Sequence, residues 1–177
     1  MTNAVTNAAA VVEERLEKLL AEHDPAATDP IEFRGHQYDY GLDWVHFPES
    51  LGGLDVEPNL QRIVDKGVKA AGAAGPDHNH FFGLAMAGPT IVTHGSDEIR
   101  ARMLRRMFTG EDSWCQLFSE PGAGSDLAGL ACKAVRDGDE WVISGQKVWN
   151  TLAHIADRGM LVARTDPEAP KHKGLTY

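Results

Sequence analysis

The spacing of apolar residues changes once along this chain, near residue 112, and a chain patterned in two ways must build two kinds of layer. Upstream, the pattern is helical. From about Val5 to His23, Val12, Leu16, Leu19 and Leu20 recur at helical spacing with charges between them, which predicts an amphipathic helix broken by Asp24-Pro25 and Asp29-Pro30. Gly35 to Pro48 is rich in aromatics (Tyr38, Tyr40, Trp44, Phe47), which more often fill a core than form a ligand platform. Pro48-Glu49-Ser50-Leu51-Gly52-Gly53 reads as a rigid turn closing a helical segment. Leu60, Ile63, Val64, Gly67, Val68 and Ala71 mark another helix. Phe81 to Val92 marks an apolar one that Pro89 kinks or divides. Ser96 can cap the next, with Asp97 and Glu98 in its positive first turn and Gly110 beyond its end.

Downstream, short runs read as strands: Trp114 to Ser119, Leu130 to Arg136, Glu140 to Ser144 and Met160 to Arg164, with Asp137-Gly138 as a hairpin turn. The expected fold class is therefore α+β: an N-terminal α-helical domain over residues 1–111, then a partial middle β domain over 112–177 that begins a barrel-like or sandwich architecture. Gly174 to Tyr177 looks like the start of a further strand. So few strands would leave edges exposed, so truncation is the simplest reading of the C-terminal end.

Composition narrows the function classes. At 177 residues, 42% hydrophobic and 24% charged, the chain can bury one or two cores. A formal net charge of −9 argues against binding to nucleic-acid phosphates, which needs a cationic surface. Cys115 and Cys132 are too few for a disulfide framework and lack CxxC spacing, which fits a reducing cytoplasm. Residues 1–12 lack the basic start of a signal peptide, and no segment has transmembrane length, so no membrane association is expected. His78-Asn79-His80 and His94 lack a carboxylate or cysteine at a recognised ligand spacing, so no metal is assigned. Arg100, Arg102, Arg105 and Arg106 form a cationic run whose ordinary reading is a solvated face balanced elsewhere.

The chemistry concentrates in two segments. Phe118-Ser119-Glu120-Pro121-Gly122-Ala123-Gly124-Ser125-Asp126 leaves a strand for a loop whose glycines permit close backbone approach, with exposed amides and the hydroxyls of Ser119 and Ser125 available to oxygen atoms. It is neither a Rossmann fingerprint, since Leu127 stands where the third glycine belongs, nor a P-loop, since Leu130-Ala131 follows Gly129. Ala123 also excludes a serine nucleophile elbow at Ser125. Ser144-Gly145-Gln146-Lys147-Val148-Trp149-Asn150-Thr151 places an indole two residues before a hydroxyl. That pairing suits a planar cofactor with a polar edge, although taken alone a core tryptophan beside a turn threonine is the commoner arrangement.

Together, E-P-G-A-G-S-D and G-Q-K-V-W-N-T, separated by the D-G hairpin, resemble the signature of the acyl-CoA dehydrogenase family. Phe47 to Gly53 is similar to that family's P-E-x-x-G-G turn, and Gly88-Pro89 through Gly110-Glu111 is similar to its helix-leading region. The resemblance covers nearly the whole chain and is weakest before residue 30. It implies FAD as cofactor, with Gln116, Leu117, Phe118, Ser119, Gly124 and Ser125 on the first flavin-contacting strand and loop. Ser119 stands where the family usually has a threonine bonded to the isoalloxazine edge. Ser125 matches a serine near the acyl-CoA thioester and pantetheine, so it also counts as substrate-binding. Trp149 and Thr151 match residues that stack on the ring and bond near its reactive nitrogen, while Asn150 replaces a commoner apolar residue.

The implied reaction removes the α-proton of an acyl-CoA with a carboxylate base as hydride passes from the β-carbon to flavin, giving a trans-2-enoyl-CoA. An electron-transferring flavoprotein is the implied acceptor. The family's base lies in a C-terminal helical-bundle domain with no counterpart here, so no catalytic residue is assigned and Glu120 is not taken as the base. The expectation is a truncated form that binds FAD weakly, turns over no acyl-CoA alone, and forms homo- or hetero-oligomers when complete. A non-catalytic relic or interaction subunit, or an acyl-CoA oxidase-like or nitroalkane oxidase-like flavoprotein, are the alternatives. The acyl group stays open among sterol side chains, branched acids and straight chains.

Overall fold

A computed structural model describes residues 2–75 and 80–177, which divide into two compact units, Met1–Asp112 and Ser113–Tyr177. The architecture is α+β, helices first and sheets second.

In the first unit, α1 (Thr2–Glu22) buries Val12, Leu16 and Leu19, the stripe that its periodicity marks, in a cluster with Phe33, Leu42, Val45, Leu54, Leu60 and Val64. The N-cap Asp29 starts α2 (Pro30–Asp39) by accepting hydrogen bonds from the amides of Ile31 and Glu32. Pro30 sits in that helix's first turn, where its missing N–H costs nothing. The Pro48-to-Gly53 segment forms a 3₁₀ turn, Glu49–Leu51, that ends at Gly52 with φ 84°. Gly53 follows, and a Cβ there would run into the backbone carbonyl oxygens of Phe47 and Trp44, so the chain can close here only on glycine. α3 (Gln61–Ala70) extends a 3₁₀ turn over Pro58–Leu60.

The apolar segment expected over Phe81 to Val92 divides before Pro89 rather than at it. Gly83–Ala87 is a π-helical turn, and α4 (Gly88–His94) restarts with Pro89 in its first turn. His78 and Asn79, part of the histidine group considered above, lie outside the described residues. α5 (Asp97–Thr109) runs from the Ser96 cap, whose hydroxyl accepts the Ile99 amide, to Gly110 at φ 86°. Its cationic run is balanced by acidic neighbours: Arg100 pairs with Asp97, and Arg106 with Glu111 and Asp112. Arg105 makes two 3.0 Å bonds to the Asp39 carboxylate, tying α5 to α2, and buried Arg34 on α2 donates to the Thr109 carbonyl at 2.7 Å.

The second unit holds two small sheets. β1 (Trp114–Leu117) pairs in parallel with β4 (Arg158–Leu161). The other sheet has the order β3-β2-β5-β6, built from β2 (Lys133–Asp137), β3 (Glu140–Ser144), β5 (Ala163–Arg164) and β6 (Leu175–Thr176). Buried Cys132, Ala134 and Ala163 form its core, and both cysteines are free thiols. Three strand expectations shift. Phe118 and Ser119 leave β1 for the loop, and Leu130 to Cys132 precede β2. The run from Met160 to Arg164 is shared between the two sheets, with Val162 between β4 and β5. The hairpin turn lies one residue later than expected: Asp137 pairs with Glu140, and Gly138, at φ 59°, occupies the first central position with Asp139. No described helix is long and apolar enough to cross a membrane.

Candidate functional site

The two chemistry-bearing segments meet in the second unit through a set of short polar contacts. As the chain leaves β1, the Phe118 carbonyl accepts from Lys147 Nζ at 3.0 Å and the Ser119 carbonyl accepts from the Val148 amide at 2.9 Å. Glu120 then turns inward. Its carboxylate accepts from the amides of Ala131 (2.7 Å) and Cys132 (2.9 Å) and pairs with Lys147 Nζ at 2.9 Å. The Glu120 and Lys147 side chains are 8% and 7% exposed, so this is a buried ion pair with both partners also hydrogen-bonded to backbone. Burial works to raise the Glu120 pKa, but the two amides and the Lys147 ammonium outweigh it and hold the carboxyl below its ordinary value.

Glu120 and Ala123 exchange backbone hydrogen bonds at 2.8 and 3.1 Å, closing a tight loop over Pro121 and Gly122. Apart from the adjoining residues, no atom of the described residues lies within 4 Å of where a Cβ would stand on Gly122 or Gly124, so the loop has room for a ligand to approach its backbone. Ser125 is exposed, and the neighbouring Asp126 pairs with Lys171 at 2.6 Å.

Trp149 follows the clamped Lys147-Val148 directly. It is 91% exposed, and its backbone lies in the left-handed region at φ 59°. A bulky residue there carries strain, and an indole left in water forgoes the burial that most tryptophans find. The backbone beyond is held by the Thr151 amide on the Trp149 carbonyl (3.1 Å) and the Ala153 amide on the Asn150 carbonyl (3.1 Å). The hydroxyls of Ser119, Ser125 and Thr151 make no hydrogen bond to any described residue.

The expected site residues are thus brought together in part. Phe118 and Ser119 are tied to the segment that carries Trp149, Asn150 and Thr151, whereas Gln116 and Leu117 lie in β1 against Met160 and Leu161. Gly124 and Ser125 stay on the open loop, with no described hydrogen bond to residues 149–151. Sequence reasoning assigned no role to Lys147 and treated Glu120 only as a motif residue. The available signal was one acid and one base, Glu120 opening the first motif and Lys147 inside the second. An exposed flat ring, uncommitted hydroxyls and an unobstructed glycine loop fit a planar heteroaromatic group with carbonyl oxygens on its edge. Among the described residues, no group of three His, Cys, Asp or Glu side chains is placed to hold a metal ion.

A helical unit followed by a β unit, in which the end of β1 is tied to the segment that leads into an exposed tryptophan, defines a two-module α+β class. The family model for the acyl-CoA dehydrogenase N-terminal domain matches residues 3–111, and that for the acyl-CoA dehydrogenase middle domain matches residues 115–177. The chain belongs to the acyl-CoA dehydrogenase family. Acyl-CoA dehydrogenase FadE34 of Mycobacterium tuberculosis is 48% identical over 139 residues, which cover 78% of this chain and 19% of that protein. Acyl-CoA dehydrogenase FadE29 of the same organism is 38% identical over 164 residues, 93% of this chain and 41% of that protein. The crystal structure of the ChsE4-ChsE5 complex from Mycobacterium tuberculosis superposes with a TM-score of 0.61 at 29% identity, covering 96% of this chain and 45% of that one. The chain spans less than half the length of each of these proteins.

Proposed function

We propose that this chain contributes the helical domain and part of the flavin-binding β domain to an FAD-dependent enzyme that converts an acyl-CoA thioester to its 2-enoyl-CoA. The observation that carries this reading is Trp149, exposed and held in left-handed backbone beside the clamped Ser119 carbonyl. FAD, when bound, supplies the two-electron acceptor for the hydride that leaves the substrate β-carbon. On this reading Trp149 packs on the ring, the hydroxyls of Ser119 and Thr151 bond to its polar edge, and Asn150 sets the polarity beside them. Gln116, Leu117 and Phe118 form the strand that delivers the loop. Gly124 admits the cofactor to the loop backbone, and Ser125 serves both the cofactor and the thioester end of the substrate.

No base is assigned in this chain. Glu120 is committed to Lys147 and two amides and is held in its ionised form as a structural anchor. We assign removal of the α-proton to a carboxylate outside these residues and passage of the electrons to an electron-transferring flavoprotein. Val135, Trp141, Val142 and Ile143 are more than half exposed along the hairpin, which supports association with further polypeptide in a homo- or hetero-oligomer. Two free cysteines fit a reducing cytoplasmic setting.

The test is titration of FAD into the purified 177-residue chain, followed by quenching of flavin fluorescence, alongside Trp149→Ala and Ser119→Ala. Weak binding by the wild type, weakened at least about tenfold in the Trp149 variant (about 1.4 kcal/mol), is the expected result. Equal binding by both proteins, or no binding by either, rejects this placement of the flavin. Stoichiometric flavin with dye-linked dehydrogenation by this chain alone would show that the base lies within it.

A further inference from the structure

Among the described residues β3 pairs only with β2, so it is an edge of its sheet, and all of Glu140–Ser144 is exposed. An edge strand presents a row of unpaired N–H and C=O groups, which proteins ordinarily blunt with a lysine, a proline or a bulge. The centre of β3 has none of these. It reads Trp141-Val142-Ile143, 52%, 52% and 54% exposed, and it pairs with β2 residue for residue. Both of its faces are apolar. Ile143 stands beside buried Ala134, so Ile143 and Trp141 extend the face that holds the core of Cys132, Ala134 and Ala163. Val142 stands beside Val135 on the other face, and both are more than half exposed.

The edge is also complementary to itself. In an antiparallel pair, alternate residues direct their N–H and C=O groups toward the partner strand and away from it. Counted from Asp137 and Glu140, the pair that closes the two-residue loop, Glu140, Val142 and Ser144 face β2, and Trp141 and Ile143 direct their backbone groups outward. When β3 is laid antiparallel to a copy of itself with Val142 on the two-fold axis, Trp141 falls opposite the copy's Ile143, twice, as hydrogen-bonded pairs of an aromatic with a β-branched side chain. Glu140 then falls opposite the copy's Ser144, and the copy's Lys133 lies one strand further, because Lys133 pairs with Ser144. Serine is short, so Glu140 and that lysine meet across two strand spacings, about 9.5 Å. Lys133 and Glu140 are exposed, and neither has an ion-pair partner among the described residues. No like charges fall directly opposite each other in this register.

We propose that two copies of this chain associate through β3, joining their sheets into one continuous sheet with Val142 on the two-fold axis. This rests on the reading of the exposed hairpin as an association surface and is independent of the flavin assignment. The pairing satisfies both β3 edges at once and closes on itself, so it ends at a dimer. The far edge, β6, is only two residues long, too short to carry the assembly further.

The test is analytical ultracentrifugation of the full chain, without flavin, over a concentration series, with far-UV circular dichroism to confirm that each variant keeps the fold. A single step from 19.3 kDa to twice that mass is expected. Ile143→Lys leaves the hairpin's own backbone bonds in place and puts a charge on the edge; it is expected to raise the dissociation constant at least about tenfold. Glu140→Lys alone is expected to weaken association, and Glu140→Lys combined with Lys133→Glu to restore it. Under oxidation Val142→Cys is expected to give a disulfide-linked dimer, because directly opposed non-hydrogen-bonded residues have Cα atoms about 4.5 Å apart, within disulfide range. Glu140→Cys is expected to stay unlinked, because its two copies stand about 14 Å apart. The wild type is the blank, since Cys115 and Cys132 are buried. A chain that stays monomeric at every concentration overturns the proposal and leaves the hairpin to a different polypeptide. Dimerisation undiminished in Ile143→Lys overturns it together with the association reading of the hairpin, because another surface is then used. Open-ended assembly, no recovery in the double variant, or crosslinking of Glu140→Cys as readily as Val142→Cys also overturns it.

Discussion

Replacing Lys147 with Met tests whether the ion pair beneath the two motifs holds the β unit together. The substitution keeps an unbranched chain of similar length and removes only the ammonium. In the wild type that ammonium lies 2.9 Å from Glu120 Oε1 and 3.0 Å from the Phe118 carbonyl, with both charged side chains less than a tenth exposed. Breaking a buried pair by removing one partner costs about 3–5 kcal/mol, because the other charge is left without compensation. Glu120 keeps its bonds to the Ala131 and Cys132 amides, which places the expected loss near the lower end, about 3 kcal/mol. Urea unfolding followed by tryptophan fluorescence reads it, since Trp114, Trp141 and Trp149 all belong to the second unit.

The pH dependence gives a second signature. In the wild type the Glu120 carboxyl is held below its ordinary 4.5, so its contribution is complete above the unfolded value and is lost as pH falls through the folded one. In the variant, burial is no longer opposed by Lys147, the folded pKa rises, and protonation relieves the penalty. The stability gap between the two proteins should therefore narrow from about pH 7 to about pH 4. A loss below about 1 kcal/mol at neutral pH, typical of an exposed pair, or a gap that does not change over that range, would refute the reasoning.

Gly53→Ala is expected to destabilise the helical unit by about 1–3 kcal/mol or more, since the added Cβ meets the Phe47 and Trp44 carbonyl oxygens and only the backbone can yield; unfolding followed by far-UV circular dichroism reads it, and a neutral result would mean that the turn adjusts freely. Trp149→Gly is expected to leave stability unchanged or raise it by up to about 1 kcal/mol, because the left-handed strain is released and little buried surface is lost. The same variant should bind FAD more weakly than the wild type, and a large loss of stability would show that the indole packs against the fold instead of awaiting a partner.

The helices were legible because their signals are local. Asp29, Ser96 and Gly110 each act on residues within one turn, and the stripe of Val12, Leu16 and Leu19 declares its buried face without reference to any other segment. The strand boundaries were less so. The gap at Val162 exists because Leu161 pairs with Leu117 in one sheet while Arg164 pairs with Lys133 in the other, and neither partner is visible from the run Met160 to Arg164. The Glu120–Lys147 pair was hidden for the same reason: both residues stand in recognised motifs, but their meeting spans 27 positions and depends on how β1 ends. Asp43 was the least legible. An acid next to Trp44 reads as an ordinary polar loop position, and its burial follows only once the chain turns back at Gly52, whose carbonyl accepts the Asp43 amide.

The site and its support are therefore encoded differently, and Trp149 shows how they depend on each other. Left-handed backbone at a tryptophan persists only where its surroundings over-determine it. Here the preceding residues are fixed from two directions, with Lys147 gripping Glu120 and the Phe118 carbonyl and the Val148 amide bound to the Ser119 carbonyl. The following turn is closed by Thr151 on Trp149 and Ala153 on Asn150. The buried pair thus does more than stabilise the sheet: it sets where the chain stands when it reaches the indole. Loosening it should let residue 149 relax out of the left-handed region, so Lys147→Met should weaken flavin binding even under conditions where the β unit remains folded, although neither Lys147 nor Glu120 is assigned a contact with the cofactor.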